Sequence, residues 1–315
     1  MRLRLAALSF ALACCVPALP VHANSTPTPR QLLAAAKPSE WRTPAPDDLV
    51  YMQLPRGRVV IELAPAFSPL HVANLRTLIR EHYFDGLAIV RVQDNFVAQW
   101  DDPNGDDGGD PAKIRSLGKA KATLPPEFTR PIAATRGYPA LPWTPLPDGD
   151  VYAPQVGFSE GFPVGRDPAT GREWLVQCYG MVGVGRDVAP DSGNGSALYA
   201  IIGQAPRRLD HNLAVVGRVL QGMQYLSSLP RGNGPMGFYT KASQRTPIIS
   251  MRLASDLPPG QREQIQVLRT SSPTFAALIH AARYGHNAFY PTPVGKVGIC
   301  DISAPVRVDG KPLSP

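Results

Sequence analysis

The sequence predicts a mainly β fold, an antiparallel barrel capped by two α-helices, and three observations carry that prediction. Short apolar runs bounded by turn residues recur at Val50 to Leu54, at Val59 to Leu63 and between Val90 and Val97. Among these strands, amphipathic helical spacing begins at Pro69 and again near Gln221 to Ser228. Proline occupies 35 of the 315 positions, about twice its usual share. That density breaks helices and central strands and predicts long surface loops.

Taken in order, the first 23 residues read as a signal peptide. Arg2 and Arg4 precede an apolar run from Leu5 to Leu19, and Val21-His22-Ala23 has the small-residue pattern of a cleavage site. The run is too short and too rich in proline to span a membrane, and no other stretch approaches spanning length. Export follows, to the periplasm or beyond the cell, with cleavage near Ala23. Cys14 is set aside as a lipid-attachment site because Leu12 lies one place off the usual position. Arg30 to Lys37 gives a short helix through Leu32, Leu33 and Ala34 to Ala36, and a proline-rich linker then runs to residue 48. After the first two strands, Ser68 caps a helix whose first residue is Pro69, with Val72, Leu75, Leu78 and Ile79 on one face. The second helix turns Met223 and Leu226 inward. No internal repeat is visible.

The chemistry concentrates in Tyr83 to Pro103. Val90, Val92, Phe96 and Val97 read as extended and half-buried, so Arg91 projects from a β-surface beside an apolar wall. A guanidinium drawn from water needs a partner. Gln99 can supply one, because its carboxamide oxygen accepts from the fork while its amide faces a substrate carbonyl.

This segment resembles the cyclophilins, peptidyl-prolyl cis/trans isomerases whose signature runs Y-[YF]-[DN]-G-x-x-F-H-R-V-x-x-x-F-x-x-Q-x-G-D-P. Tyr83, Phe84, Asp85, Gly86, Arg91, Val92, Phe96, Gln99, Asp102 and Pro103 fall in register. Upstream, Gly57 to Leu63 and Ser68 to Leu75 are similar to the family's G-x-[IV]-x-[IL]-E-L and A-P-x-x-V-x-N-F. Downstream, Asn194 to Tyr199, Leu209-Asp210 and Val216 to Val219 are similar to N-G-S-Q-F-F, L-D and F-G-[KR]-V. The likeness covers residues 49 to 254.

The resemblance implies a closed antiparallel barrel with two capping helices, no cofactor and proline-containing polypeptides as substrates. It also implies roles. Arg91 is the donor to the twisted amide nitrogen, Phe96 the floor of the proline pocket and Gln99 the group that orients Arg91. Val97, Ala197, Tyr199, Leu209 and Leu213 line the substrate site. Alone, Arg91 would read as a solvated strand charge; its register with nine other motif positions overrides that. Several positions depart from the pattern. Val90 replaces histidine, Val97 methionine, Trp100-Asp101 a Gly-Gly pair, Ala197 glutamine and Leu213 histidine. Arg208 stands where the family has tryptophan, which implies weak cyclosporin binding. The lost polar contacts leave open a second reading, a non-catalytic chaperone or proline-peptide-binding module on the same barrel.

Two segments lie outside the resemblance. About 111–177 is longer than a compact cyclophilin requires, and Pro125 to Trp174 is rich in proline and glycine with little periodicity, which predicts an insertion loop, a candidate lid beside the substrate. Residues 255–315 form an extension packed on the domain, helical over Arg262 to Leu268 and Pro273 to Tyr284 and extended thereafter. Of the four cysteines only Cys178 and Cys300 survive cleavage, and two thiols in an oxidising compartment predict a disulfide between them. Neither has a ligand partner at metal spacing, so no metal site is expected.

Charge and stray motifs narrow the remaining classes. The net charge of +7 falls to +5 after cleavage, 30 basic against 25 acidic residues, without a basic run or interleaved aromatics, and nucleic-acid binding is not expected. Gly157-Phe158-Ser159-Glu160-Gly161 fits a hydrolase nucleophile elbow, but Pro163 and Pro168 forbid the helix it needs. Gly183-Val184-Gly185 mimics a dinucleotide turn without a βαβ unit around it. The acidic string Asp101, Asp102, Asp106, Asp107, Asp110 lacks the glycine and terminal glutamate of a calcium loop. The sequence therefore predicts a secreted, monomeric isomerase of X-Pro bonds.

Overall fold

The computed structural model describes residues 27–105, 109–287 and 289–313. The signal segment, Asp106 and Asp107 lie outside them. Along the chain run α1 (Pro29–Ala35), β1 (Trp41–Arg42), β2 (Leu49–Leu54), β3 (Gly57–Leu63), α2 (Pro69–Arg80), β4 (Ala88–Val92) and β5 (Val97–Asp101). Next come β6 (Arg130–Pro131), β7 (Thr144–Leu146), β8 (Gln155–Ser159), β9 (Phe162–Asp167), β10 (Arg172–Leu175), β11 (Met181–Val184), β12 (Leu198–Ile201) and β13 (Val215–Gln221). The last elements are α3 (Gln224–Ser227), β14 (Thr246–Pro247), β15 (Ser250–Leu253), β16 (Ile265–Leu268), α4 (Pro273–Tyr284), β17 (Val306–Val308) and β18 (Lys311–Pro312).

β2 and β3 pair as a hairpin, Leu49 opposite Glu62 through Leu54 opposite Gly57. Val50, Met52, Leu54, Val59, Ile61 and Leu63 fill the barrel interior. Leu49, Tyr51 and Val60 face the other way and are also buried, in a second core. A strand covered on both faces is apolar throughout, which is why these two runs show no clean alternation.

Nine strands form the main sheet, in the order β14-β4-β5-β12-β11-β13-β3-β2-β15. Its two edges are parts of one stretch, 246–253. Ile248 pairs with Leu87 beside β4, while Ile249 donates to Gln53 beside β2. The curl is therefore bridged by one kinked segment and is not closed by a continuous strand ladder, a correction to the closed barrel expected.

α2 and α3 lie at the predicted places, although α3 is a single turn. Val72, Leu75, Leu78 and Ile79 are buried as the spacing requires. The cap differs. Ser68 turns its hydroxyl to the Val215 carbonyl (2.8 Å), and the amides of Leu70 and His71 donate instead to Glu127, at 3.1 and 2.9 Å. A carboxylate from 57 residues downstream supplies the anion that a helix N-terminus favours.

The segment expected to be an insertion loop is a second sheet. Its order is β6-β10-β9-β8-β7, antiparallel throughout. Glycines disguised it. A Cβ at Gly165 would sit 2.6 Å from the Trp174 ring, and one at Gly157 would sit 2.3 Å from the Thr144 carbonyl oxygen and 2.8 Å from the Trp143 ring. These positions stay bare because an indole, and at Gly157 also the backbone of β7, fills the space, and the apolar alternation is lost with them. Phe158, Val164 and Trp174 join Val97, Tyr199, Ile201 and Val215 of the main sheet in the second core.

The C-terminal extension carries a second correction. Residues 265–268 form β16, a strand where a helix was expected, paired with β1 and β17. The partner strand β1 lies more than 200 residues away, and local spacing holds no record of it. α4 forms where predicted, with Ser272 accepting from the Phe275 amide (3.1 Å) and Pro273 first. α1 packs against α4. The chain also joins Cys178 to Cys300, so the extension is fastened to the segment between β10 and β11, where the chain leaves the accessory sheet.

Candidate active site

Arg91 and Gln99 come together because β4 and β5 are adjacent and because the β4 register slips between Ile89 and Arg91. The irregularity sets Arg91 opposite Gln99. Its Nη1 donates to Gln99 Oε1 at 3.2 Å. Its Nη2 donates to Gln93 Oε1. Its Nε donates to the Met236 carbonyl at 2.7 Å. The Phe96 ring centroid lies 5.4 Å from Arg91 Cζ and that of Phe238 5.3 Å, both within cation–π range. The guanidinium is thus held along its edges and against aromatic faces.

The neighbouring residues sort by depth. Phe96, Gln99, Ala197, Leu209 and Leu213 are half-buried, as is Arg91. Val97 and Tyr199 are 2% and 4% exposed and form the floor beneath them. Phe96 lies in the bend before β5, and with Leu213 it packs against the second core. Tyr199 sits directly opposite Gln99 across the β5–β12 ladder. On its other side Gly183 faces it, and a Cβ there would lie 2.2 Å from the phenol ring. The Gly183 to Ala189 string is thus, at its first residue, a space left for Tyr199.

Burial pushes the Tyr199 phenol above its ordinary value of 10, against the hydrogen bond it makes to Gln177 Oε1 at 3.0 Å. Gln177 belongs to the chain leaving the accessory sheet, and its own amide donates to Asp210 Oδ1 at 3.0 Å. Burial raises the Asp210 carboxyl, and Arg207 at 3.2 Å partly offsets it. Next along, His211 places its ring 3.7 Å from that of Trp174, and burial lowers its pKa from the ordinary 6.5. The loop that carries Arg208 in place of tryptophan therefore meets an indole from the accessory sheet.

A family described as cyclophilin type peptidyl-prolyl cis-trans isomerase/CLD matches residues 49–252. The chain belongs to the cyclophilins. Two relatives, each a probable peptidyl-prolyl cis-trans isomerase, come from Brucella suis biovar 1 (strain 1330) and Brucella abortus (strain 2308). Each is 27% identical over 191 residues, 60% of this chain and 74% of the relative. The crystal structure of cyclophilin AquaCyp293 from Hirschia baltica superposes with a TM-score of 0.64 at 26% identity, covering 89% of this chain and 97% of that one. That coverage is wider than residues 49–252, so the likeness to this cyclophilin takes in residues outside the family match.

The enzyme class of this cyclophilin is thus peptidyl-prolyl isomerase, and the candidate site residues Phe96, Val97, Tyr199 and Leu213 belong to the second core, outside the barrel interior. Met236, Phe238, Gln93 and Gln177 were missed in the sequence. Gln93 carried a weak signal, two residues from Arg91 and just past the end of β4. The others reach the site from segments with no motif. No described helix is long and apolar enough to cross a membrane.

Proposed function

We propose that the mature protein isomerises X-Pro bonds of exported proteins during folding, with Arg91 stabilising the twisted amide. The barrier arises from amide resonance, about 18–20 kcal/mol, and no bond is made or broken in crossing it. At the top the nitrogen lone pair has lost conjugation and accepts a hydrogen bond that neither planar ground state can take. A donor fixed at that point binds the transition state selectively. The observation that carries the reading is Arg91 Nη1 on Gln99 Oε1 at 3.2 Å with the Phe96 ring beside it. In this reading Phe96 receives the proline ring above Val97 and Tyr199, Leu209 and Leu213 wall the pocket, and Gln99 orients Arg91 while its amide meets the substrate backbone.

Export is supported by the Arg2, Arg4 and Leu5 to Leu19 pattern together with the Cys178–Cys300 bridge, which suits an oxidising compartment. The protein acts as a monomer, and cyclosporin binds it weakly because Arg208 offers neither an indole donor nor a wall. Acceleration of cis/trans exchange in a proline-containing tetrapeptide by the mature protein tests the activity, and exchange at the uncatalysed rate contradicts it. One observation favours the binding-module reading. Ala197 and Leu213 present no polar group to a substrate backbone, and the floor is deeply covered. Peptide binding without accelerated exchange would select that reading.

A further inference from the structure

The guanidinium of Arg91 is gripped by a loop outside every motif in the chain. Residues 232–239 lie along β4 beyond the reach of β14: the Gly232 amide donates to the Val92 carbonyl and the Tyr239 amide to the Val90 carbonyl, each at 2.9 Å. Between these anchors the chain doubles back, the Gly234 amide donating to the Phe238 carbonyl at 2.9 Å. At the turn Met236 takes left-handed backbone, φ 53°, although it carries a side chain. That side chain is 64% exposed, so burial of its own atoms does not account for the conformation. The Met236 carbonyl does something specific: it accepts from Arg91 Nε at 2.7 Å. Two residues on, the Phe238 ring lies 5.3 Å from Arg91 Cζ.

Left-handed backbone at a non-glycine residue is costly and persists where its surroundings impose it, often beside a functional group. We propose that the 232–239 loop is a positioning element for Arg91, in which the Met236 carbonyl fixes the Nε edge and the Phe238 ring fixes the guanidinium plane. This rests on the isomerase reading of the site. Gln99 and Gln93 hold Nη1 and Nη2 while the Phe96 ring lies beside the group; the loop adds the hold on Nε and a second ring. A donor already oriented needs no reorganisation when the amide twists. The loop contributes through Arg91 and touches no reacting atom itself.

The test uses the full mature chain, with melting temperature, tetrapeptide kcat/KM and the Arg91 Nε–H resonance as readouts, the last assigned by its loss in Arg91→Lys. Met236→Gly keeps the carbonyl and adopts left-handed backbone freely, so the Arg91 Nε–H resonance stays at its parent position. Met236→Val disfavours that backbone, so the resonance moves toward that of a solvated arginine and kcat falls about three- to tenfold at nearly constant KM. Phe238→Leu lowers kcat by a similar factor, about three- to tenfold, and Phe238→Tyr, which keeps the ring, restores it. Unchanged resonance and kcat in both Met236→Val and Phe238→Leu, at parent melting temperature, overturn the proposal. An inactive parent sinks the isomerase reading and the loop's catalytic role with it, and the resonance in Met236→Val then reports separately whether the loop holds the guanidinium.

Discussion

Tyr199 donates its hydroxyl to Gln177 Oε1 at 3.0 Å, tying the floor of the candidate proline pocket to the chain that leaves the accessory sheet. Both side chains are buried, and the Gln177 Nε2 has no hydrogen-bond partner among the described residues. The phenol is thus the hydrogen-bond partner of the carboxamide side chain through Oε1.

Removing the hydroxyl strands a buried acceptor. Tyr199→Phe is expected to destabilise the protein by about 1–3 kcal/mol in urea unfolding, and adding Gln177→Leu to recover most of the loss. Because burial raises the phenol pKa, with Asp210 adding to the effect, Tyr199 is expected to titrate above the ordinary tyrosine value of 10 in an ultraviolet titration of the folded protein, and a tyrosine titrating at the ordinary value in its place would contradict this.

Glu127 gives a pH dependence with a defined sign. Burial alone would raise its carboxyl, but His71, the amides of His71 and Leu70, and Tyr138 lower it below the ordinary 4.5. The unfolded chain then binds a proton at higher pH than the folded one. The stabilisation is complete above about pH 4.5 and is lost as pH falls through the folded value. Urea unfolding between pH 3 and 7 should show a shallower acid limb in Glu127→Gln, together with a loss of about 1.5–3 kcal/mol at pH 7.

How much of this was legible in the sequence depended on the range of the cause. Val72, Leu75, Leu78 and Ile79 lie within two turns of one another, and their spacing placed α2. Arg91, Phe96 and Gln99 lie within nine residues, and the motif register brought them together. Glu127 capping α2, Met236 reaching Arg91 and Gln177 reaching Tyr199 join residues 22 to 145 apart, and no local pattern records such pairs. The accessory sheet was hidden for another reason: Gly157 and Gly165 sit where strands usually carry apolar side chains, because the Thr144 carbonyl and Trp143 at the first and Trp174 at the second fill the space.

Glu62 accepts from Arg42 Nη1 at 2.5 Å and Arg218 Nε at 3.4 Å, all three side chains nearly buried. Arg42 also donates to the Glu160 carbonyl and Arg218 to that of Ala304, so one carboxylate joins linker, accessory sheet, barrel and extension. Glu62→Ala leaves two buried guanidinium groups facing each other and is expected to cost about 3–5 kcal/mol in denaturant unfolding. Replacing all three with apolar residues of matched volume should cost far less.

The Cys178–Cys300 bridge closes a separation of 122 residues. In the chain-entropy account such a link contributes about 4–5 kcal/mol, so Cys178→Ala with Cys300→Ala should lower the melting temperature by several degrees. The parent heated in reductant should match the double variant.

The central claim is that Arg91 lowers the barrier of amide rotation. Tetrapeptide isomerisation by the parent, Arg91→Lys and Arg91→Ala, each with unchanged circular dichroism, tests it most directly. The account predicts a catalysed rate in the parent, a loss of at least about tenfold in Arg91→Lys, where a point charge replaces the oriented fork, and background in Arg91→Ala. A rate in Arg91→Ala equal to that of the parent would contradict it.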